Sequence, residues 1–216
     1  MTGRAPVLLV PGLWAGDYTM LPLARTLRRR GHPIVAAHIG INIGCTTELV
    51  DRLEQRLRAS QATCGRPAVV VGWSRGGTLG KLVTMRRPDL VSALVSLGGP
   101  NADPMAVSRM VRMQIGMLSR LNAWGVRRVL GTDCLQGECA EAVRALLGAP
   151  FPAHIPYVSV YSKRDRVVDW QACCDPPAEL VEVDASHFQL GTGARVLRIV
   201  AERVDGFEHQ EVPQAS

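Results

Sequence analysis

A serine stands at the centre of residues 72–76, Gly-Trp-Ser-Arg-Gly, directly after a run of valines. The valine run predicts a short strand buried on both faces, and the residues after Gly72 follow a helical pattern instead. A serine on such a sharp strand-to-helix turn needs positions two before and two after it without side chains, and Gly72 and Gly76 meet that need. The N-terminus of the following helix favours developing negative charge, so Ser74 is placed for acyl transfer.

A serine hydroxyl becomes an effective nucleophile when a base takes its proton and an acid orients that base. His187 lies just past the last predicted strand and before the final predicted helix, which puts it at the carboxyl edge of the sheet. His38 also ends a predicted strand, but it precedes the serine. The other histidines follow a helix, precede a strand or lie in the tail: His32, His154 and His209. We therefore predict that His187 is the general base.

The orienting acid is expected in the loop after the penultimate predicted strand, where Asp165 is the first carboxylate. Asp169 can instead belong to the next turn and cap it. Asp184 is close in sequence to His187 and can take the same role. We predict Asp165 as the acid, with Asp169 and Asp184 as alternatives.

Strands and helices alternate along most of the chain. The predicted strands are Val7–Val10, 33–38, 68–72, Val91–Leu97, Tyr157–Tyr161 and Leu180–Val183. We call the strand-to-helix turn at residues 72–76 the elbow. The main helices are predicted at about Tyr18–Arg30, from about Thr46, between the elbow and Pro88, and at about Ala194–Val204. This alternation implies a doubly wound α/β domain, a mostly parallel sheet of about six strands with helices on both faces. We expect one domain, 1–216, with a frayed tail at 208–216.

Residues 101–152 interrupt this alternation with helical stretches at about Met105–Leu121 and Cys139–Leu147. Open α/β sheets bind ligands at their carboxyl edge, so we expect this insertion to form a small helical cap there. Four methionines fall in it, and their thioethers suit an adaptable apolar surface or, equally, the filling of a core. We predict that substrate contacts Met113 and Met117 from the cap and Trp14 and Trp73 from the catalytic loops.

Composition sets limits on the other functions. The chain has 216 residues, 47% of them hydrophobic and 20% charged, with a formal net charge of +6, which is typical of an ordinary globular protein. The triple arginine at 28–30 falls at a predicted helix end, where cations complement the dipole, so we expect no nucleic-acid partner. Neither a signal peptide nor a membrane-spanning run is predicted, and a cytoplasmic location is expected.

Six cysteines are dispersed along the chain: Cys45, Cys64, Cys134, Cys139, Cys173 and Cys174. A chain of this size needs no disulfide framework, so free thiols are expected. Whether Cys134 and Cys139 pair is open. Because no histidine or cysteine cluster shows zinc spacing, the sequence predicts neither a metal site nor a cofactor.

The chain order Ser74, Asp165, His187 is that of the α/β-hydrolases. Together with Pro-Gly-Leu-Trp at 11–14, Ser-Lys-Arg-Asp-Arg-Val-Val at 162–168 and Ser-His-Phe at 186–188, it makes the sequence resemble that superfamily over nearly its whole length. More narrowly, it is similar to compact bacterial lipases and esterases that lack the usual N-terminal hairpin.

The resemblance implies an oxyanion hole formed by the backbone N–H groups of Leu13 and Arg75. The chain departs from the common family pattern in one place, since Pro11-Gly12 stands where His-Gly is usual. This difference leaves the conformation of the loop open and makes the N–H of Trp14 a rival donor.

The leading hypothesis is a serine esterase or lipase that forms an acyl-enzyme at Ser74 and acts on a small-molecule acyl ester with an apolar acyl group. A thioesterase or an acyltransferase with the same triad is the alternative. A non-catalytic ligand-binding relative is a third, and an intact triad argues against it. The sequence does not specify the natural substrate, the acyl length or the oligomeric state, because a fold hosts many chemistries.

Overall fold

The computed structural model describes residues 3–207. Its six strands are β1 (Val7–Val10), β2 (Ile34–Ala36), β3 (Ala68–Trp73), β4 (Val91–Leu97), β5 (Tyr157–Tyr161) and β6 (Glu179–Glu182). They form one parallel sheet in the order β2-β1-β3-β4-β5-β6. The predicted sheet is confirmed, although the second strand is shorter than the predicted 33–38.

Nine α-helices accompany the sheet in the described part of the chain. They are α1 (Leu21–Arg29), α2 (Thr46–Cys64), α3 (Arg75–Arg86), α4 (Arg109–Ala123), α5 (Asp133–Gln136), α6 (Glu138–Gly148), α7 (Trp170–Cys173), α8 (His187–Thr192) and α9 (Ala194–Phe207). Short 3-10 helices lie at Asp17–Met20 and Pro88–Leu90. None of these helices is long and apolar enough to cross a membrane.

Strand β3 packs against a separate core on each face of the sheet. Val69 and Val71 contact the core built with α1 and α9, whereas Val70 contacts the core built with α2 and α3. Every residue of Ala68–Trp73 is buried, which explains why this strand is a continuous apolar run rather than an alternating one.

The strand register brings the loops with the predicted site residues to one edge. Val10 pairs with Gly72, Trp73 with Leu97 and Leu97 with Val160. The carboxyl ends of these strands are therefore nearly level, and the segments that follow them meet above the sheet.

Helix α4 begins at Arg109, later than the predicted start at Met105, because Ser108 caps it and its Oγ accepts from Val111 N at 3.4 Å. Helices α5, α7 and α8 were not predicted, since elements of four to six residues show no helical periodicity. The predicted fraying of 208–216 lies outside the described residues.

Candidate active site

The backbone of Ser74 is strained, as the elbow requires. Its φ of 55° and ψ of −128° lie outside the regions that residues with a side chain usually adopt. A Cβ at Gly72 would overlap the backbone of Gly76, and a Cβ at Gly76 would overlap the carbonyl of Val10. Both glycines are therefore sterically required where α3 starts against the end of β1.

Asp165 follows β5 and has both carboxylate oxygens engaged. Oδ1 accepts from the N–H groups of Val167 at 2.8 Å and Val168 at 3.0 Å. Oδ2 lies 2.6 Å from Nδ1 of His187, and the Asp165 side chain is 1% exposed. The loop thus holds the carboxylate in one orientation, and the carboxylate orients the imidazole.

The two alternative acids lie elsewhere. Asp169 caps α7, where its Oδ1 accepts from Gln171 N at 3.1 Å. Asp184 is exposed and pairs with Arg164 at 3.0 Å. Among the carboxylates of residues 3–207, Asp165 is the one at hydrogen-bond distance from His187.

His187 is the first residue of α8, and a capping box fixes this helix start. Ser186 Oγ accepts from Gln189 N at 3.4 Å, and Gln189 Oε1 accepts from Ser186 N at 2.9 Å. The Ser-x-x-Gln sequence at 186–189 is the signal from which this helix start can be predicted.

Trp73 supports His187 directly. Its Nε1 donates to the His187 carbonyl at 3.1 Å, and the two ring centroids are 5.7 Å apart. The indole is almost completely buried, so Trp73 both lines the cavity described below and positions the histidine. Because Trp73 immediately precedes Ser74, the sequence predicts that it lies near the serine. It does not predict the contact between Trp73 and His187.

The Pro11-Gly12 loop lies against the serine. A Cβ at Gly12 would come 3.1 Å from the Cβ of Ser74. The N–H of Trp14, the rival donor, is used in a hydrogen bond to the Asn42 carbonyl at 3.3 Å. Within residues 3–207 the N–H groups of Leu13 and Arg75 donate to no protein acceptor, which leaves both available for a ligand oxygen.

Asn42 fixes this loop, and no sequence motif marks it as a site residue. Its fully buried amide donates to the Pro11 carbonyl at 2.7 Å. Its side-chain oxygen accepts from Nη1 of Arg75 at 2.8 Å. One side chain therefore bridges the two segments predicted to form the oxyanion hole.

The guanidinium of Arg75 lies below the elbow rather than in solvent. It donates to the carbonyl of Asn42 at 3.2 Å, to the carbonyl of Gly44 at 2.8 Å and to the hydroxyl of Thr46 at 3.2 Å, in addition to the Asn42 amide. Burial lowers the pKa of Arg75 to about 10. The group still carries its charge at neutral pH, because this pKa remains well above 7.

Ser74 and His187 line one cavity of about 280 Å³ between the sheet edge and the insertion. Leu13, Trp14 and Trp73 line it from the sheet side. The insertion contributes apolar residues that include Met105, Met110, Val111 and Ile115. Residues of the insertion therefore line the same cavity as Ser74.

Met113 and Met117 lie outside this cavity, in an open groove that they share with Arg120. Successive residues of an α-helix are 100° apart, so positions 110, 111, 114 and 115 share the face of α4 that lines the cavity. Positions 113 and 117 lie on the adjacent face. Met110 borders both spaces. Met113 is 65% exposed and Met117 48%, and Met105 and Met110 are also exposed, so the four methionines do not fill a core.

Backbone hydrogen bonds join the insertion to the acid loop. Val107 and Val168 form an antiparallel bridge, and Ser108 N donates to the Val167 carbonyl at 2.7 Å. Asp169 N donates to the Ala106 carbonyl at 2.9 Å. The start of the insertion is therefore fixed to the loop that carries Asp165.

No protein-family model matches the chain, and no curated protein matches it in sequence. Solved structures match it over nearly its whole length. The mature Bacillus licheniformis lipase BlEst2 has a TM-score of 0.70 at 14% identity, with 94% of this chain and 93% of the lipase covered. The mouse alpha/beta hydrolase domain-containing protein 10 has a TM-score of 0.61 at 16% identity, with 97% and 92% covered.

The Paleococcus ferrophilus monoacylglycerol lipase also matches, with a TM-score of 0.61 at 15% identity and with 95% of this chain and 97% of the lipase covered. Identities this low establish a fold and not a substrate. The sheet order, the strained serine after β3 and these likenesses show that the chain has the α/β-hydrolase fold.

Proposed function

We propose that this protein is a serine hydrolase that cleaves carboxylic esters with apolar acyl groups through an acyl-enzyme on Ser74. One observation carries the proposal. Ser74, on its strained elbow, shares a cavity with His187, whose Nδ1 is held at 2.6 Å by the buried carboxylate of Asp165. Such an arrangement supplies a nucleophile, a base and an orienting acid.

In this mechanism, Nε2 of His187 takes the proton of Ser74 as Oγ attacks the ester carbonyl. The oxyanion of the tetrahedral intermediate accepts from the N–H groups of Leu13 and Arg75. The imidazolium then donates its proton to the leaving alcohol, and the acyl group remains on Oγ. Water activated by His187 releases the carboxylic acid and restores the serine.

Within residues 3–207, Ser74 Oγ makes no hydrogen bond to His187. Catalytic hydrogen bonds are often long without substrate and shorten in the Michaelis complex. We expect the Ser74–His187 bond to form when an ester fills the cavity.

The cavity favours an acyl chain over a polar substrate. Met105, Met110 and Val111 of the insertion line the same cavity as Ser74, and Arg75 is the one residue among the described lining residues that is an Asp, Glu, Lys or Arg. The solved structures named as lipases share the fold with this chain, which supports an ester substrate. A cavity of about 280 Å³ suits a short or medium acyl group.

The test combines covalent labelling with turnover. A fluorophosphonate probe should label wild-type protein and leave Ser74→Ala unlabelled, and p-nitrophenyl esters of graded length should be hydrolysed by wild type only. Acyl-thioesters of matched length form the second arm. Faster cleavage of thioesters than of matched esters would show that the protein is a thioesterase rather than an esterase. Equal labelling of wild type and Ser74→Ala would refute the proposed nucleophile.

A further inference from the structure

Three cysteines that are far apart in the sequence meet beside the cavity. Cys45 directly precedes α2, Cys134 lies in α5 and Cys139 lies in α6. Their Sγ atoms all lie within 4.8 Å of one another, and those of Cys45 and Cys139 are 3.6 Å apart. All three are free thiols. Sequence spacing could not reveal this cluster, because Cys45 and Cys139 are 94 positions apart.

The spacing of the sulfurs matches a shared metal ion. A disulfide would bring two sulfurs to about 2 Å. Thiolates bound tetrahedrally at about 2.3 Å from one zinc ion lie roughly 3.8 Å from each other. The 3.6 Å between Cys45 and Cys139 is close to this value, and the sulfur of Cys134 lies within 4.8 Å of both.

The charge around the three cysteines also fits a bound Zn²⁺ ion. The Arg75 guanidinium lies within electrostatic reach of all three thiols. Its hydrogen-bond acceptors are two carbonyls, an amide and a hydroxyl, and no carboxylate of the described residues pairs with it. Three thiolates around Zn²⁺ leave one net negative charge, which the single positive charge of Arg75 balances. Three thiolates around Cu⁺ would leave two net negative charges, and Arg75 would balance only one of them.

The nearby oxygen atoms do not complete a hard-metal site. Thr47 Oγ1 lies 3.2 Å from the Sγ of Cys45 and 3.6 Å from that of Cys139. No carboxylate oxygen or histidine nitrogen of residues 3–207 joins the three sulfurs in the group. An all-sulfur donor set selects thiophilic ions over magnesium or calcium.

We propose that Cys45, Cys134 and Cys139 bind one Zn²⁺ as thiolates, with the fourth position open to water. Each thiol releases its proton to solvent when it binds. The ion would join the start of α2 to α5 and α6 of the insertion. Because Cys134 also lines the catalytic cavity, zinc would fix this part of the insertion over Ser74. The proposal does not depend on the ester substrate.

Cobalt titration is the direct test, since Co²⁺ replaces Zn²⁺ and reports on its ligands. The full chain, without a polyhistidine tag, is made metal-free, kept reduced with a phosphine and titrated with CoCl₂. We expect a thiolate-to-cobalt charge-transfer band that saturates at one equivalent and disappears when ZnCl₂ is added.

The matched variants separate this cluster from the other thiols. Cys45→Ser and Cys139→Ser should weaken binding by at least about tenfold to a hundredfold, since even the loss of an outer-shell partner has that effect. Cys64→Ser and Cys174→Ser should bind as wild type does. A reduced wild-type protein with no saturable cobalt band, or an unchanged band in Cys45→Ser, would overturn the proposal.

If a variant does not fold, the proposal can still be tested on the wild type by counting the thiols that react with and without zinc. Of the six cysteines, three should become slow to react with a disulfide reagent when one equivalent of ZnCl₂ is present. At free zinc about a hundredfold above Kd, the melting temperature should rise by about 5–10 °C. Equal reactivity with and without zinc would instead refute the site, as would a Cys45–Cys139 disulfide in protein that binds no metal after reduction.

Discussion

The two walls of the cavity are built in different ways. The sheet wall rests on a fully buried strand, Ala68–Trp73, and on glycines that admit no Cβ. In the insertion wall, helix α4 buries only Leu118 and Ser119 among its described residues. The position of Ser74 is therefore determined by backbone sterics, and that of α4 by few buried contacts.

We expect the rigid sheet wall to hold the reacting groups and the less buried insertion wall to select the substrate. A region with few buried apolar contacts opens at a lower free-energy cost than a core strand does. Helix α6 of the insertion packs on the core of α2 and α3 through Val143, Leu146 and Leu147. The segment around α4 is instead held by contacts such as the bridge to the loop of Asp165 and the 2.6 Å hydrogen bond from Leu130 N to the Ile43 carbonyl. We expect substitutions in the sheet wall to abolish activity or folding, and substitutions in the insertion wall to shift substrate preference.

The largest effect is expected for Ser74→Ala and His187→Ala. Each should lower kcat/KM on the preferred ester by at least about a thousandfold, since triad members act as a unit and only binding and the oxyanion hole remain. The melting temperature of Ser74→Ala should change little, because Ser74 belongs to no core cluster, whereas that of His187→Ala should fall by about 2–10 °C, since the buried carboxylate of Asp165 loses its partner. Steady-state hydrolysis and thermal unfolding measure both quantities, and more than a tenth of wild-type activity in either variant would contradict the assignment.

Asp165→Asn comes next. An amide misorients the imidazole and does not stabilise the imidazolium, so turnover should fall by about a hundredfold to ten-thousandfold. Asp169→Asn and Asp184→Asn are the matched controls and should cost less than about threefold in activity, since they lie at a helix cap and on the surface. Greater damage from Asp184→Asn than from Asp165→Asn would mean that another carboxylate orients His187.

A glycine pair compares the stability of the two walls directly. Gly76→Ala places a Cβ against the carbonyls of Val10 and Pro11 and should destabilise the fold by about 3 kcal/mol or prevent folding. Gly116→Ala in α4 meets no atom within 4 Å and should stabilise it by about 0.5–1 kcal/mol. Urea unfolding gives both values, and an equal loss in the two variants would show that the insertion is packed as tightly as the elbow.

The sheet wall was also the more predictable from the sequence. The elbow follows from five adjacent residues, and His187 could be placed because parallel strands all end at one edge. Asn42, by contrast, acts through contacts with Pro11 and Arg75 that no spacing reveals. Distant thiols such as Cys45 and Cys139 likewise meet only in the folded chain.

In α4, the sequence indicated a helix rich in methionine but not which of its faces would meet the cavity. Helical periodicity places Met110 and Met113 on adjacent faces, and only the packing of the insertion against the sheet edge determines which face lines the cavity. Local patterns therefore predicted the elements, whereas the rotation of an exposed helix depended on its tertiary contacts.

The smallest expected effect comes from substitutions that test which face of α4 lines the cavity. Met110 lines the cavity and Met113 does not, so Met110→Ser should remove apolar contact with the acyl chain and Met113→Ser should not. A buried methylene contributes about 0.8 kcal/mol, so Met110→Ser should lower the kcat/KM ratio of octanoate to butyrate p-nitrophenyl ester by about threefold to tenfold. Both side chains are largely exposed, and the melting temperatures of both variants should stay within about 2 °C of wild type. A ratio that falls in Met113→Ser and not in Met110→Ser would show that α4 presents its other face to the substrate and that the insertion rearranges when an ester binds.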